Sequence, residues 1–183
     1  MGALRMEDLP SYTYEDYAQW EGDWELIDGI AYAMAPAPMR THQSLAYTIA
    51  RVLGNQIDRC PECEVLGEVD YKLSDDTVLR PDVVLTCGET REAYLTKAPE
   101  IIVEVISPST ASRDEKIKFS LYEAEKVTYY VLVYPKDLIA RVYRLDGKAY
   151  DKEGVFAQET YRFEDTACKV EVDFSEVFRR YRD

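Results

Sequence analysis

No apolar run in the sequence approaches the length of a membrane-spanning helix. The opening MGALRMEDLP lacks the basic and then hydrophobic blocks of a signal peptide, and Met6 stands where a myristoylation motif wants Ser or Thr. The chain is therefore expected to be cytoplasmic, with no membrane partner. His42 is the single histidine, which restricts sites built from two or three histidines and triads that need more than one. The 4 cysteines do not suggest a disulfide framework and are expected as thiols under reducing conditions. Cys60 and Cys63 form one CxxC, but no second CxxC or HxxxH completes four zinc ligands, so a turn with incidental thiols is the better reading. Basic residues are in short supply too. With 22 Lys and Arg against 35 Asp and Glu, the formal charge of −13 disfavours indiscriminate coating of nucleic acid. A local basic cleft would have to draw on Arg113, Lys116 and Lys118, or on Arg179, Arg180 and Arg182, with metal ions offsetting acidic groups. Linkers, low-complexity segments and internal repeats are also absent.

What is present, 183 residues of which 46% are apolar and 31% charged, reads as one soluble globular domain over residues 1–183. Its centre is the stretch 99–122, PEIIVEVISPSTASRDEKIKFSLY. Ile101, Ile102, Val103, Val105 and Ile106 are the pattern of a strand covered on both faces, so the carboxylate of Glu104 among them requires a cation, a metal or several donors. Ser107-Pro108-Ser109-Thr110 ends the strand, and a helix follows with Ser112 and Glu115 as a capping box. Ile117, Leu121 and Ala124 make its buried stripe, flanked by Asp114 and Lys118. Lys116 and Lys118 diverge by about 200° on such a helix, and Lys118 lies nearer the sheet.

Around this stretch the spacing predicts a short helix over 12–20 with Thr13 as cap and Asp16 as box partner, then a hairpin over 24–34 turning at Asp28-Gly29. Glu25 on that hairpin reads as a solvent-facing strand carboxylate. Pro36 and Pro38 precede a helix over 41–59 whose first turn carries His42, taken alone a surface or cap residue. Residues 64–73 and 77–86 read as a second hairpin, within which Asp82, beside Pro81, is either a turn former or a ligand. Strands over 128–134 and 138–145, another turn at Asp146-Gly147, a strand near 168–172 and a last helix opened by Asp173 complete the chain.

Asp82 and Glu104 on neighbouring strands, with Lys118 on the next helix, would gather two carboxylates and an ammonium at one point. That trio suits Mg²⁺ and phosphodiester hydrolysis, and equally a buried salt-bridge cluster. The motifs PD at 81–82, EVISPST at 104–110, D-x-x-x-K at 114–118 with Tyr122, and WELIDGIAYAM at 24–34 together resemble the Uma-two family of restriction-endonuclease-like proteins (domain of unknown function 820), within the PD-(D/E)XK nuclease superfamily. The resemblance spans about residues 12–180 and implies an α/β (α+β) restriction-endonuclease-like core: a central mixed sheet flanked by helices, an N-terminal hairpin, and C-terminal strands plus a helix. It further implies a DNA endonuclease with Mg²⁺ or Mn²⁺ on Asp82 and Glu104. Ile106 occupies the usual motif-lysine position, and the amine is recovered from Lys118. Glu25 and His42 fall where the family carries an acid and a histidine near the cleft. The implied partner is nucleic acid, DNA first, and a homodimer would fit the cutting of both strands. The rivals are a nuclease-fold binding or assembly module without turnover, for which Phe119 reads as exposed, and a nuclease acting on RNA or branched nucleic acid.

Overall fold

β-branched residues at alternating positions build the centre of the molecule, described by a computed structural model over residues 10–34, 39–89 and 92–182. Met6, Pro36 and Pro38 lie outside the described residues. Among the described residues no helix is long and apolar enough to cross a membrane.

The elements run α1 (Tyr14–Tyr17), β1 (Trp24–Ile27), β2 (Ile30–Ala33), α2 (Arg40–Gly54), β3 (Cys63–Gly67), β4 (Tyr71–Lys72), β5 (Val78–Leu79), β6 (Val83–Cys87) and β7 (Ile101–Val105). A π-helical turn, Arg113–Lys118, then feeds α3 (Phe119–Ala124), followed by β8 (Tyr129–Tyr134), β9 (Ile139–Asp146), β10 (Ala149–Phe156), β11 (Thr160–Phe163), β12 (Val170–Asp173) and α4 (Phe174–Phe178). The main sheet has the order β10-β9-β8-β7-β6-β3. Its strands pair antiparallel except β7 with β8, whose parallel pairing requires a crossover, supplied by the 113–124 helix.

Period-two alternation sends Val83, Leu85, Val103 and Val131 to one face, against Leu45, Ile49 and Leu53 of α2 and Phe174 and Phe178 of α4. Val84, Ile102, Tyr130 and Leu132 point the other way, to Tyr122 and to Tyr71, Leu79 and Ile27 of a smaller sheet ordered β2-β1-β5-β4. Each such Leu, Ile or Phe contributes about 1.5–3 kcal/mol relative to exposure, so both faces of the sheet are fixed by their apolar sets. Glu104 shares the parity of Ile102 and is carried to the second face.

Several expectations need correction. The 24–34 hairpin forms with Asp28 (φ 50°) and Gly29 (φ 74°) in its turn, but Glu25 is buried, at 1% exposure, because its side chain meets Arg113 and Lys118 of the crossover helix, which cover that face of the small sheet. Residues 64–86 do not make one hairpin: β3 pairs with β6 in the main sheet, while β4 pairs with β5 in the small one. The second helix ends at Gly54, where a Gly-Asn pair of weak helix formers stops it short of 59. Ser112 caps nothing with its side chain; Ser107 and Thr110 instead exchange hydrogen bonds, Ser107 N–H to Thr110 Oγ1 at 3.2 Å and Thr110 N–H to Ser107 Oγ at 3.3 Å.

The π turn changes the phase of the helix, so Asp114, Lys118 and Tyr122 are buried while Ile117 stays 39% exposed. Phe119 is not a loose surface ring: it packs edge-on against Tyr130, Tyr143 and Tyr150. The cysteines are disulfides and not thiols, Cys60 with Cys168 and Cys63 with Cys87. Antiparallel pairing sets Cys63 directly opposite Cys87, and the partner of Cys60 comes from 108 residues away, a proximity that spacing along the chain does not reveal.

Candidate active site

Because β6 and β7 run antiparallel with Val83 opposite Val103, the residue entering β6 faces the residue near the end of β7. These are Asp82 and Glu104, and Pro81 suits the strand start without forfeiting a ladder hydrogen bond. Asp82 Oδ2 accepts the Val105 N–H at 2.7 Å, which locks the carboxylate across the strand ends. From the α2 side, His42 Nε2 approaches the same oxygen at 3.2 Å. From the other face, Lys118 Nζ reaches Glu104 Oε1 at 2.9 Å, and the Tyr122 hydroxyl donates to that oxygen at 3.0 Å. Tyr122 thus holds the acid, on the same oxygen that meets the ammonium.

Glu25 closes the group. Its Oε1 lies 2.7 Å from Lys118 Nζ and accepts the Arg80 N–H at 3.0 Å, while Oε2 accepts from Arg113 at 2.9 Å. Asp114 lies one turn before Lys118, at 3.5 Å. Arg113, whose guanidinium also rests 4.8 Å from the centre of the Tyr32 ring, reaches the site because i→i+5 hydrogen bonding aligns residue 113 with 118. Sequence reasoning with a 3.6-residue period had no means of placing it there, although it named Arg113 as a basic residue available to a cleft. Lys116 is exposed and apart from the cluster. All five candidates, Glu25, His42, Asp82, Glu104 and Lys118, line one cleft of about 310 Å³, with Asp114 and Arg113 added to them.

The electrostatics are lopsided. Glu25, Asp82, Glu104 and Asp114 are all buried, whereas among the described residues Lys118 is the one buried cation. Burial raises the Glu104 carboxyl well above the usual range; Lys118 offsets part of this, and Asp114, Asp82 and Glu25 add to it. Asp114 is raised for the same leading reason. Burial would also raise Glu25, but Lys118, the Arg80 N–H and Arg113 outweigh it and hold that carboxyl below its ordinary value. Burial opposes charge on Lys118, yet Glu104, Glu25 and Asp114 raise its affinity for a proton well above normal, so it is an ammonium at neutral pH. His42 is likewise raised, the pull of Asp82 outweighing burial.

Among the described residues no group of three or more His, Cys, Asp or Glu side chains is disposed to hold a metal ion. A smaller donor set remains. Every side-chain hydrogen bond and ion pair of Asp82 uses Oδ2 and every one of Glu104 uses Oε1, leaving Asp82 Oδ1 and Glu104 Oε2 without a protein donor among the described residues. Two hard oxygens in an acid-rich cleft fit Mg²⁺ or Mn²⁺, ions that complete their shells with water and substrate phosphate. The Nδ1 of His42 is buried and lacks a partner, a second unfilled position beside them.

A mixed sheet flanked by helices, with acids at adjoining strand ends, is a restriction-endonuclease-like arrangement. Comparison with known proteins agrees: a putative nuclease belonging to DUF820 from Anabaena variabilis superposes with a TM-score of 0.75 over 91% of this chain and 97% of that one, at 14% identity, a likeness of fold. The Uma2 family profile, described as "Putative restriction endonuclease", matches residues 14–169, and the chain belongs to that family. An uncharacterized protein of Synechocystis sp. is 31% identical over 123 residues, covering 62% of this chain and 63% of that protein's own length.

Proposed function

We propose that this protein is a metal-dependent endonuclease that hydrolyses phosphodiester bonds in DNA, with Asp82 and Glu104 holding Mg²⁺ or Mn²⁺. The observation that carries the reading is the pair of unpartnered oxygens, Asp82 Oδ1 and Glu104 Oε2, in a cleft where buried carboxylates outnumber buried cations. A divalent cation there would neutralise charge that develops on the phosphoryl oxygens. The protein's own groups do the positioning. His42 and the Val105 N–H fix Asp82; Tyr122 and Lys118 fix Glu104; Glu25, clamped by Arg113 and the Arg80 N–H, fixes Lys118. Lys118, an ammonium enclosed by Glu25, Glu104 and Asp114, serves as the charged donor that holds Glu104 in place.

In the reaction a water oxygen bonds to phosphorus, the bond from phosphorus to the leaving oxygen breaks, and the proton released by the water is balanced by one taken up by the leaving oxygen. Each cleft cuts one strand, so double-strand cutting calls for two copies. The test is a cleavage assay on duplex, single-stranded and branched DNA and on RNA, with Mg²⁺, Mn²⁺ or EDTA, for the wild type and Glu104→Gln. Metal-dependent cleavage lost in Glu104→Gln is expected. Binding without cleavage under any ion would overturn the enzyme in favour of a binding module.

A further inference from the structure

Residues 29–57 contain no Asp or Glu, in a chain that has 35 of them. The described part of that stretch includes α2, which carries His42 into the cleft. Its exposed residues are Arg40, Gln43, Tyr47 and Arg51, spaced to lie on one helical face. Tyr47 is 70% exposed, the most exposed large apolar side chain among the described residues. The surface is also continuous. A second depression shares His42, Glu68 and Asp82 with the cleft and includes Tyr47, and a third is lined by Tyr47, Arg51, Arg179 and Arg180, so the acid at the cleft end of the path, besides Asp82, is Glu68. Glu176 is the acid along that third section, and Arg51 neutralises it at 2.9 Å. Arg179 and Arg180 are exposed and have no carboxylate partner among the described residues.

We propose that the face of α2 is a track for a single-stranded flank of the substrate, with one base stacked on Tyr47 and the following phosphates met by Arg179 and Arg180, beyond the Arg51–Glu176 pair. The inference rests on the nuclease reading above and narrows its substrate. An exposed ring on a convex helix offers a flat face to an unpaired base, whereas bases inside a duplex have theirs covered. The guanidiniums beyond it match a backbone in charge on a protein whose net charge would otherwise repel one. Because Tyr47 and the two arginines lie outside the acidic cluster, they can be changed without touching the groups that hold the ion.

The experiment is fluorescence anisotropy with a labelled phosphorothioate single strand and the matching duplex, in Mn²⁺, over a salt series. Tyr47→Ala is expected to weaken single-strand binding by roughly tenfold or more, with Tyr47→Phe near wild type and duplex binding unchanged in both. Arg179→Ala with Arg180→Ala should flatten the salt dependence of single-strand binding by about one unit or more of slope. Wild-type binding that none of these variants alters, or a Tyr47→Ala loss equal for both probes, would overturn the track alone. A wild type that binds neither probe would overturn the nuclease reading beneath it.

Discussion

Lys118 Nζ and Glu25 Oε1 lie 2.7 Å apart, both nearly free of solvent, although one comes from the crossover helix and the other from the N-terminal hairpin. The contact makes the small sheet part of the cleft. It also sets the cost of disturbing the site, because neither charge has water to fall back on.

Removing that ammonium should therefore unfold more than it disarms. Lys118→Met is expected to lose about 3–5 kcal/mol of stability, as Glu25, Glu104 and Asp114 are left buried without it, and to lose cleavage. Lys116→Ala, at an exposed position, should stay within about 0.5 kcal/mol of wild type and weaken substrate binding only in a salt-dependent way. Urea denaturation and single-turnover cleavage at saturating enzyme measure both. Equal losses for the two variants would remove Lys118 from the site.

A divalent ion that binds Asp82 and Glu104 must stabilise the folded chain. At one hundred times its Kd the gain is about 2.7 kcal/mol, visible as a rise in Tm with Mn²⁺. Asp82→Asn and Glu104→Gln should abolish both the rise and the calorimetric binding signal, with the fold retained. Wild-type titrations in either variant would leave a salt-bridge cluster and no ion site.

The disulfides predict the reverse of what free thiols would. Replacing Cys63 and Cys87 by Ser should cost about 3 kcal/mol, and replacing Cys60 and Cys168 somewhat more, about 4–5 kcal/mol, because the second closes a loop of 108 residues instead of 24. Mass spectrometry of the alkylated, unreduced protein should find no label. Four labelled cysteines, with unchanged stability in the serine variants, would return them to incidental thiols.

Asp173 caps α4 by accepting the Ser175 N–H at 2.8 Å, and contacts with Ser175 hold its carboxyl below the usual 3.8. A depressed folded pKa means stability that is present above pH 3.8 and is lost as pH falls through the lower folded value. Asp173→Ala should cost about 1 kcal/mol at neutral pH, and the gap from wild type should close below pH 3.8. Paired denaturation curves at pH 7 and at strongly acid pH check the sign; a gap that widened on acidification would contradict it.

Asp82 and Glu104 could be read from the sequence because each interrupts an apolar strand, where a charge has no cheap explanation. Lys118 could be separated from Lys116 by angle, since the two point in nearly opposite directions under either helical period. Glu25 could not. A four-residue strand does not say which of its faces the rest of the fold will cover, and the groups that cover Glu25, Arg113 and Lys118, come from a helix 88 or more residues further on. Ile117 and the Ser112 cap were misplaced by one cause, the extra residue that the π turn admits, and the same turn supplies the pairing of Arg113 with Glu25 that the sequence did not specify. The cysteine pairs and the strand β11 depend on contacts between distant segments, and local pattern does not encode them.

Arg80, Pro81 and Asp82 form a three-residue bridge between β5 of the small sheet and β6 of the large one, and the bridge is bonded to the hairpin acid at one end and bears a cleft acid at the other. It works as a hinge pin common to two plates. A substitution in the Asp28-Gly29 turn that displaced Glu25 would be felt at the Arg80 N–H, two residues from the Asp82 carboxylate. The hairpin and the cleft thus share one short backbone segment, whose two ends are bonded to Glu25 and to Val105.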